Sequence, residues 1–466
     1  MAKNYETAAL RPFGFRDKIG YMFGDFGNDF TFILSSSFMM KFYTDVMDVP
    51  SYVVGLIMMI ARFIDAFTDV GMGRICDMSK MTKSGKFKPW IIRMCGPLAI
   101  MSFLIYQSGF ADASMGFKIA WLAVTYILWG SIFYTSVNIP YGSMASAISA
   151  DPGDRQSLST FRSVGATLAG LAIGAGVPLI AYDTVNNEKV LNGGRFTLIA
   201  GIFSVVAIIC YLLCYFLVTE RVRPEPDPNA PKFTLKYLLK SIFTNRALLS
   251  IIVAAILLLL SQLTIQSMAN YIFPDYYRDT NAQALFSFLS TGVMFVCAAF
   301  AKPLAKKLGK KEMSVLASLL SVAAYIVCFI IRPSNVWVFI GFNLIAYIGL
   351  GMFTMVTWSL ITDVIDYAEL KNGVREDGTV YAVYSFSRKM GQAASAGLAG
   401  GLLGLIGYTK ETAGNPTVQS GIFNISVLVP AVGFLLLAAV LWFWYPLNKK
   451  TVEANVAALK KKHGQQ

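Results

Sequence analysis

Two aspartates in the second long apolar stretch of the chain have the spacing of a cation site. Arg62, Asp65 and Asp69 stand at positions i, i+3 and i+7, so a helix would place them on one stripe. Two carboxylates on one helix face repel each other unless a cation or a proton lies between them. Hard cations prefer carboxylate and hydroxyl oxygens, and Thr68 can add a hydroxyl. We therefore predict an ion site at Asp65, Thr68 and Asp69, which is a metal site if the ion is sodium. In the alternative interpretation, Arg62 neutralises one aspartate and only holds helices together.

Other charges also lie inside apolar stretches, where an ionisable group costs at least about 2.5 kcal/mol and therefore indicates a function. Asp25 and Asp29 are four residues apart in the first stretch and share a helix face. Arg162 lies near one end of the fifth stretch, where it could reach either the headgroups or a central cavity. Arg388 and Lys389 lie about ten residues inside the eleventh stretch, too deep for both to reach the headgroups. We expect one of these two cations to pair with an acidic residue and the other to remain for a substrate.

A polar and aromatic group in the fourth stretch suits the recognition of a sugar. Tyr134, Thr135 and Asn138 precede Pro140, which removes a helix hydrogen bond and frees a backbone carbonyl. Hydroxyl-bonding groups beside flat aromatic rings match the two kinds of surface that a sugar presents. Ordinary hydrogen bonds between helices explain the same residues equally well.

Membrane-spanning helices must position these residues. Hydrophobic residues make up 55% of the 466 and charged residues only 14%, whereas a soluble domain is about 25% charged. A helix of roughly 20 apolar residues crosses a hydrocarbon core of about 30 Å, and about twelve stretches are long enough. The predicted spans are residues 19–44, 50–73, 89–109, 117–147, 157–182, 196–218, 247–272, 283–305, 312–332, 335–361, 378–406 and 420–445.

The loops predict two similar halves. In each half a basic loop follows the second span, "GRICDMSKMTKSGKFKPW" in the first and "KPLAKKLGKKEM" in the second. Because the basic residues recur on one side, both termini are predicted to be cytoplasmic. The predicted domains are an N-terminal six-helix bundle at 1–218, a polar cytoplasmic connection at 219–246, a C-terminal six-helix bundle at 247–446 and a cytoplasmic tail at 447–466. The predicted fold class is an all-α membrane protein of 12 transmembrane helices with the major-facilitator fold.

Composition excludes several other classes of protein. The single histidine, His463, leaves no histidine-based triad and no zinc site. The six cysteines lie within or beside apolar stretches and are interpreted as small buried hydrophobes. The glycine runs at 165–176 and 397–408 lack the strand and the lysine of a phosphate-binding loop. The net charge of +13 is concentrated in short loops, so we expect no nucleic acid as partner. Because the sites named above are missing from the sequence, we expect no cofactor and no enzymatic activity.

Several motifs in order along the chain resemble the glycoside–pentoside–hexuronide:cation symporters, the relatives of melibiose permease in the major facilitator superfamily. The first half carries "GDFGNDF", "FYTDV", "ARFIDAFTDVGMGRICD", "GKFKPW" and "YTSVNIPYGS". The second half carries "ITDVIDYAELKNGVREDG", "YSFSRKMGQA" and "GLIGY". The resemblance covers essentially the whole chain.

The resemblance implies a role for each matching position. The implied sugar-binding residues are Asp29, Tyr134, Asn138, Arg162, Ser385, Arg388 and Lys389. The implied coupling-ion residues are Asp65, Thr68, Asp69 and Thr135. Gating and interdomain charge pairing are expected of Asp25, Arg62, Asp363, Asp366, Glu369 and Arg375. The coupling ion would be H+ or Na+.

Two departures from the melibiose permeases affect the expected substrate. Thr68 stands where the sodium-using permeases have an asparagine ligand, which weakens the case for sodium and leaves a proton open. Asn138 and Gly142 stand where those permeases have an aspartate that grips the galactosyl group and a tryptophan. A neutral Asn138 would also remove a repulsion of about 1 kcal/mol or more against an anionic sugar. A glucuronide or a xyloside is therefore favoured over a galactoside.

These arguments predict a secondary active sugar:cation symporter that works by alternating access as a monomer in lipid. The expected location is the bacterial inner membrane. One alternative is a carrier of the same fold for a non-sugar amphiphile. The other is a sugar sensor that does not transport.

Overall fold

Long α-helices make up most of the described chain, as the continuous apolar stretches predict. The computed structural model describes residues 11–186, 188–222, 245–372 and 377–462. The helices are α1 Phe15–Asp45, α2 Ser51–Met78, α3 Lys88–Ile105, α4 Met115–Ile127, α5 Thr135–Ile148, α6 Pro152–Ile180, α7 Gly193–Leu217, α8 Arg246–Tyr271, α9 Thr280–Leu308, α10 Lys310–Ile331, α11 Val336–Asn372, α12 Asp377–Leu405, α13 Pro416–Ala439 and α14 Lys449–Lys462. A 3-10 turn, Ser108–Phe110, and a two-stranded sheet of β1 Tyr182–Val185 and β2 Glu188–Leu191 join some of them.

In the described part of the chain, three π-helical segments extend α-helices without a break. They are Leu128–Tyr134 after α4, Ile272–Tyr276 after α8 and Val440–Trp444 after α13. The first joins α4 to α5, so that Met115–Ile148 is one continuous helix. Single π turns inside α-helices occur frequently at functional sites, and this one lies within the predicted polar and aromatic group.

Side chains of aspartate and asparagine fix where several helices begin. Asp151, Asn192, Asn245, Asp279 and Asn415 each accept a hydrogen bond from a backbone N–H two or three residues further on. Such caps satisfy N–H groups that have no partner inside the helix. The helices therefore start where short polar sequences interrupt the apolar stretches.

Each predicted span corresponds to one continuous helix, although several predicted ends are wrong: the span predicted at 89–109 runs past the end of α3 at Ile105. The helices also differ in polarity. Among the described residues, nine helices are long and apolar enough to cross a membrane. The helices α1, α2 and α12 are not among the nine, and they carry most of the predicted site charges, which lower their mean hydropathy. The predicted number of 12 spans stays a prediction. Sequence analysis predicted neither α14 nor the two strands.

The chain divides into two compact units. Unit 1 comprises Met1–Phe42, Ile64–Ala181 and Leu191–Ala230, and unit 2 comprises Tyr43–Phe63, Tyr182–Val190 and Pro231–Gln466. Unit 2 therefore includes the end of α1 and the beginning of α2. The predicted domain boundaries stay a prediction.

Close helix contacts in unit 1 depend on glycine. A side chain at Gly24 of α1 would collide with the Tyr141 ring, and one at Gly27 would lie 3.2 Å from the Tyr211 ring. Tyr141 and Tyr211 are fully buried. Small residues allow membrane helices to approach closely enough for such packing, which brings the polar residues of α1 next to α5 and α7.

Buried charges attach the segment after α7 to the start of the chain in unit 1. Asp17 is fully buried and pairs with Arg11 at 2.8 Å and with Arg221 at 2.9 Å. The Glu220 carboxylate accepts hydrogen bonds of 2.7 to 3.0 Å from the backbone N–H groups of residues 86–88, at the beginning of α3. Burial raises the pKa of Glu220, and these N–H groups oppose the rise. Residues 219–222 are thus part of the folded body of unit 1.

Glycine also allows a close helix crossing in unit 2. A Cβ atom at Gly55 of α2 would lie 2.8 Å from the Ala396 carbonyl oxygen and 2.9 Å from the Gly400 Cα of α12. The backbones of α2 and α12 are therefore in direct contact, as in other small-residue crossings of membrane helices. This contact is confined to the first part of α2, ahead of Asp65.

Candidate functional site

Two carboxylates of α2 contact two hydroxyl groups of the Met115–Ile148 helix in unit 1. The Ser131 hydroxyl donates a hydrogen bond to Asp65 Oδ1, and the Thr135 hydroxyl donates one of 2.8 Å to Asp69 Oδ1. Asp65 and Ser131 are 3% and 2% exposed, whereas Asp69 is half-buried. The structure thus brings Asp65 and Asp69 together with Thr135 and with Ser131, which was not singled out from the sequence. The assignment of these residues to an ion site stays a prediction.

Gly130, in the π segment Leu128–Tyr134, lies next to both Asp65 and Thr135. Gly130 has no side chain, and a Cβ atom there would lie only 3.4 Å from Asp65 Oδ1. The Gly130 carbonyl accepts the backbone N–H of Thr135 and lies 3.2 Å from the Thr135 hydroxyl. The Thr135 hydroxyl therefore has two acceptors within reach, a carboxylate and a carbonyl.

Thr68 lies between the two aspartates on α2 and is half-buried. Its hydroxyl donates to the backbone carbonyl of Asp65 at 3.2 Å. Because a hydroxyl oxygen has two lone pairs, it can still bind a cation. Among the described residues, no group of three or more His, Cys, Asp or Glu could hold a metal ion. Any cation here would be held by two carboxylates together with neutral oxygens.

Arg162 of α6 forms an ion pair with Asp25 of α1. Arg162 Nε lies 2.8 Å from Asp25 Oδ1, and its guanidinium carbon lies 5.4 Å from the centre of the Tyr141 ring. The Asp25 side chain is 6% exposed and the Arg162 side chain 42%. Arg162 was predicted to bind sugar and Asp25 to belong to a charge network, and the structure joins these two residues.

Asp29 follows Asp25 by one helical turn but has a different environment. It is half-buried, and within the described ranges its carboxylate makes no hydrogen bond or ion pair with the protein. A carboxylate without a protein partner has its full capacity to accept hydrogen bonds from a ligand.

Asn138 and Tyr134 extend this polar region along α5 and the π segment. Asn28 Nδ2 donates to Asn138 Oδ1 at 3.5 Å, and the Tyr211 hydroxyl donates to Asn28 Oδ1 at 2.7 Å. The Tyr134 ring stacks on Phe32 with centroids 5.6 Å apart. Asn28 is 1% exposed, and sequence analysis missed it, although a buried amide in "GDFGNDF" was a signal.

The remaining predicted residues lie in unit 2. Asp363 accepts two hydrogen bonds from Lys310, of 2.7 and 2.8 Å, and Lys310 was not predicted. The other residues of the charge network are Arg62 and Glu369, which are buried, and Asp366, which is half-buried. On α12, Ser385 and Arg388 are exposed and Lys389 is half-buried. Arg375 lies outside the described residues.

Comparison with known proteins shows the family of this chain. The sequence profile of the family described as MFS/sugar transport protein matches residues 20–449. The symporter YjmB of Bacillus subtilis, described as uncharacterised, is 33% identical over 93% of this chain and 92% of its own length. The chain belongs to the glycoside–pentoside–hexuronide:cation symporter family.

Two further relatives of this symporter family cover nearly the full length of the chain. A glucuronide carrier protein homologue of Escherichia coli is 31% identical over 95% of both chains. A putative sulfoquinovose importer of Salmonella typhimurium is 29% identical over 99% of this chain and 96% of its own. Among solved structures, an inward-facing bacterial homologue of the lysosomal transporter Spinster has a TM-score of 0.68 at 12% identity, and covers 94% of this chain and 97% of that one.

Membership of the symporter family confirms several predictions. The fold is that of the major facilitators, and the protein is a multi-pass sugar transporter of the bacterial membrane rather than an enzyme. A small molecule is its substrate. The orientation of the termini, the oligomeric state, the individual sugar and the coupling ion stay predictions.

Proposed function

We propose that this transporter is a sugar:cation symporter that imports a glycoside, pentoside or hexuronide by alternating access. The observation that carries the proposal is the carboxylate pair of α2, in which Asp65 and Asp69 each accept a hydrogen bond from a hydroxyl of the neighbouring helix. Two carboxylates one helical turn apart within an apolar span attract a cation or a proton. The passenger ion, H+ or Na+, therefore binds at Asp65 and Asp69, with Thr68 and Thr135 as neutral ligands.

The sugar binds beside Asp29, Tyr134, Asn138 and Arg162. Asp29 has no protein partner in the described chain and so accepts hydrogen bonds from sugar hydroxyls. Arg162 gives Asp25 a hydrogen bond from Nε only, and its side chain is 42% exposed. Its Nη groups therefore remain available to a substrate. The family resemblance also assigns Ser385, Arg388 and Lys389 of α12 to sugar binding; Ser385 and Arg388 are exposed and Lys389 is half-buried.

An anionic sugar is favoured among the candidate substrates. Two of the relatives are named for glucuronide and sulfoquinovose, both of which carry a negative charge at neutral pH. Asn138 is neutral, so it does not repel such a group, and Arg162 and Arg388 can each offer paired donors to a carboxylate or sulfonate. A neutral xyloside fits the same residues, and a galactoside is expected to fit less well. The polar side chains Asp29, Asn28 and Asn138 argue against a carrier of apolar amphiphiles.

Uptake into right-side-out membrane vesicles tests the proposal. Labelled glucuronide, xyloside and galactoside are each supplied with a proton gradient or a sodium gradient. We expect accumulation of the glucuronide or the xyloside above its external concentration with at least one gradient. Asp65→Asn is expected to abolish accumulation, whereas Asp112→Asn, in an exposed loop, serves as the matched control. Full gradient-driven uptake by the Asp65→Asn variant would refute the ion site.

A further inference from the structure

We propose that Asn28 and Tyr211 are positioning residues that turn the side-chain amide of Asn138 so that its NH2 group faces the sugar. This donor then selects sugars that carry a carboxylate or sulfonate group. The inference rests on the proposed function, because it takes Asn138 as part of the sugar site. Asn28 lies on α1 and Tyr211 on α7, and neither residue was singled out from the sequence.

Three polar side chains form a chain of hydrogen bonds from α7 through α1 to α5. Tyr211 is fully buried, and Asn28 is 1% exposed. The Tyr211 hydroxyl donates to Asn28 Oδ1 at 2.7 Å, and Asn28 Nδ2 donates to Asn138 Oδ1 at 3.5 Å. Buried hydroxyls and amides depend on protein partners, because an unmet polar group away from water is costly. The orientation of each group therefore depends on its neighbour in the chain.

The direction of this chain follows from the acceptors near Tyr211. Within the described residues, the Tyr211 hydroxyl hydrogen-bonds to the Asn28 side chain alone. If the Asn28 amide were turned over, its NH2 group would face the hydroxyl, and the buried Tyr211 hydrogen would have no acceptor. With Asn28 fixed in this way, Asn138 must present its oxygen to Asn28, because two NH2 groups that face each other repel. The NH2 group of Asn138 is thus directed away from Asn28.

Two donor groups beside α1 are available to a ligand. In the described part of the chain, the NH2 group of Asn138 donates to no protein group. Arg162 uses Nε for Asp25, and its Nη groups make no further hydrogen bond or ion pair there. Gly142 follows Asn138 by one helical turn and is exposed, and a Cβ atom at Gly142 would meet nothing within 4 Å. The face of α5 next to the Asn138 amide is therefore open.

The two donor groups favour an anionic substituent on the sugar. An amide NH2 group and a guanidinium only donate, whereas an ionised carboxylate or sulfonate only accepts. Hydrogen bonds to an ionised acceptor are roughly twice as strong as those between neutral groups. Asp29 can accept hydrogen bonds from the sugar hydroxyls, since its carboxylate makes none with the described part of the protein. A sugar with one anionic substituent and free hydroxyls matches both kinds of group.

Binding of two matched aryl glycosides to the purified full-length protein tests the inference. The probes are p-nitrophenyl β-D-glucuronide and p-nitrophenyl β-D-xyloside, which differ only in the carboxylate on C5. We expect the wild type to bind the glucuronide about tenfold more tightly, as one hydrogen bond to a charged group provides. Tyr211→Phe lets the Asn28 amide turn over, so it should remove most of this preference. The xyloside should bind nearly as before, because a hydroxyl can donate or accept and so tolerates either orientation of Asn138.

Tyr325→Phe is the matched control for Tyr211→Phe. The fully buried Tyr325 hydroxyl donates to Asn343 Oδ1 at 3.2 Å in unit 2, and Asn343 Nδ2 donates to the Phe339 carbonyl of its own helix. The control variant loses the same kind of hydrogen bond and should keep the wild-type ratio of the two affinities. Thermal unfolding of each variant without ligand separates misfolding from altered selectivity.

A double-mutant cycle tests whether Tyr211 acts through Asn138. Asn138→Leu removes the amide and should itself remove most of the preference for the glucuronide. When Tyr211→Phe is added to Asn138→Leu, the ratio of the two affinities should not change further. A further change of the same size as in the wild-type background would show that Tyr211 affects selectivity by another route, and the inference would be overturned.

Failure of this inference is distinguishable from failure of the proposed function. If Tyr211→Phe keeps the wild-type ratio of affinities, or weakens both probes equally, Tyr211 does not orient Asn138 and the inference is overturned. If the wild type binds the xyloside as tightly as the glucuronide, the inference is also overturned, while gradient-driven uptake of the xyloside would leave the proposed symport standing. Binding of neither probe overturns the inference, and the vesicle uptake experiment then decides on symport separately.

Discussion

Arg162 Nε lies 2.8 Å from Asp25 Oδ1, so the cation of α6 is held by the first aspartate of α1 and not by the second. Asp25 and Asp29 stand on the same face of one helix, but within the described chain only Asp25 forms an ion pair. One aspartate therefore holds helices together, while the other is left for a ligand.

Replacing Asp25 by asparagine should lower the stability of the protein. The change leaves the partly buried Arg162 without its counter-charge, and removal of one partner of a buried pair costs about 3 to 5 kcal/mol. Because Arg162 is 42% exposed, solvent compensates in part, and we expect a loss of about 1 to 3 kcal/mol. Thermal unfolding of the purified protein measures it.

Asp29→Asn is the matched control for Asp25→Asn, since the two residues are one turn apart on α1. It should leave the unfolding temperature near the wild-type value and weaken the uptake of labelled glucuronide or xyloside. Equal losses of stability in both variants would show that the two aspartates do not have separate roles.

Gly130→Ala should weaken ion binding without unfolding the protein. The added Cβ would lie 3.4 Å from Asp65 Oδ1 and 3.5 Å from Oδ2, in ordinary van der Waals contact, so it would place an apolar methyl group against the carboxylate. Shielding a buried carboxylate from polar ligands in this way should cost about 1 kcal/mol, which corresponds to several-fold in affinity. The ion concentration for half-maximal sugar uptake measures the effect. Gly116→Ala is the control, because a Cβ there meets nothing within 4 Å, and an equal change in that variant would contradict the argument.

Gly55→Ala should destabilise unit 2. Its Cβ would lie 2.8 Å from the Ala396 carbonyl and 2.9 Å from the Gly400 Cα, and these backbone atoms cannot move away separately. We expect a loss of about 1 to 3 kcal/mol, typical of overpacking. Gly71→Ala, also on α2, meets nothing within 4 Å and should have little effect. The unfolding temperatures of the two variants, measured side by side, test this prediction. Similar unfolding temperatures for both would contradict the close crossing of α2 and α12.

The sequence predicted those features that depend on local pattern. Continuous apolar stretches were sufficient to locate the helices, because lipid requires every spanning segment to satisfy its own backbone hydrogen bonds. The pair Asp65 and Asp69 was predicted because charges within such stretches are costly and few. Thr135 was assigned to the ion site only through the family resemblance.

Contacts that depend on tertiary packing could not be predicted. Arg162 and Asp25 are 137 residues apart, and nothing in the sequence distinguishes Asp25 from Asp29 as the partner. Lys310 was counted as one basic residue of a loop, yet it binds Asp363. Ser131 was missed because a single serine in an apolar span usually bonds to its own helix backbone, and only the packing of α2 against the π segment gives it another acceptor.

The attachment of residues 219–222 has a practical consequence for labelling this transporter. The backbone N–H groups of Arg221 and Val222 donate to the Ala147 carbonyl at 2.7 and 2.8 Å. An affinity tag or protease recognition site inserted ahead of these residues would have to displace the Arg221 and Glu220 contacts with the rest of unit 1. Insertion after Val222 leaves those contacts intact, so a tag or cleavage site placed there should be tolerated better than one placed ahead of Thr219.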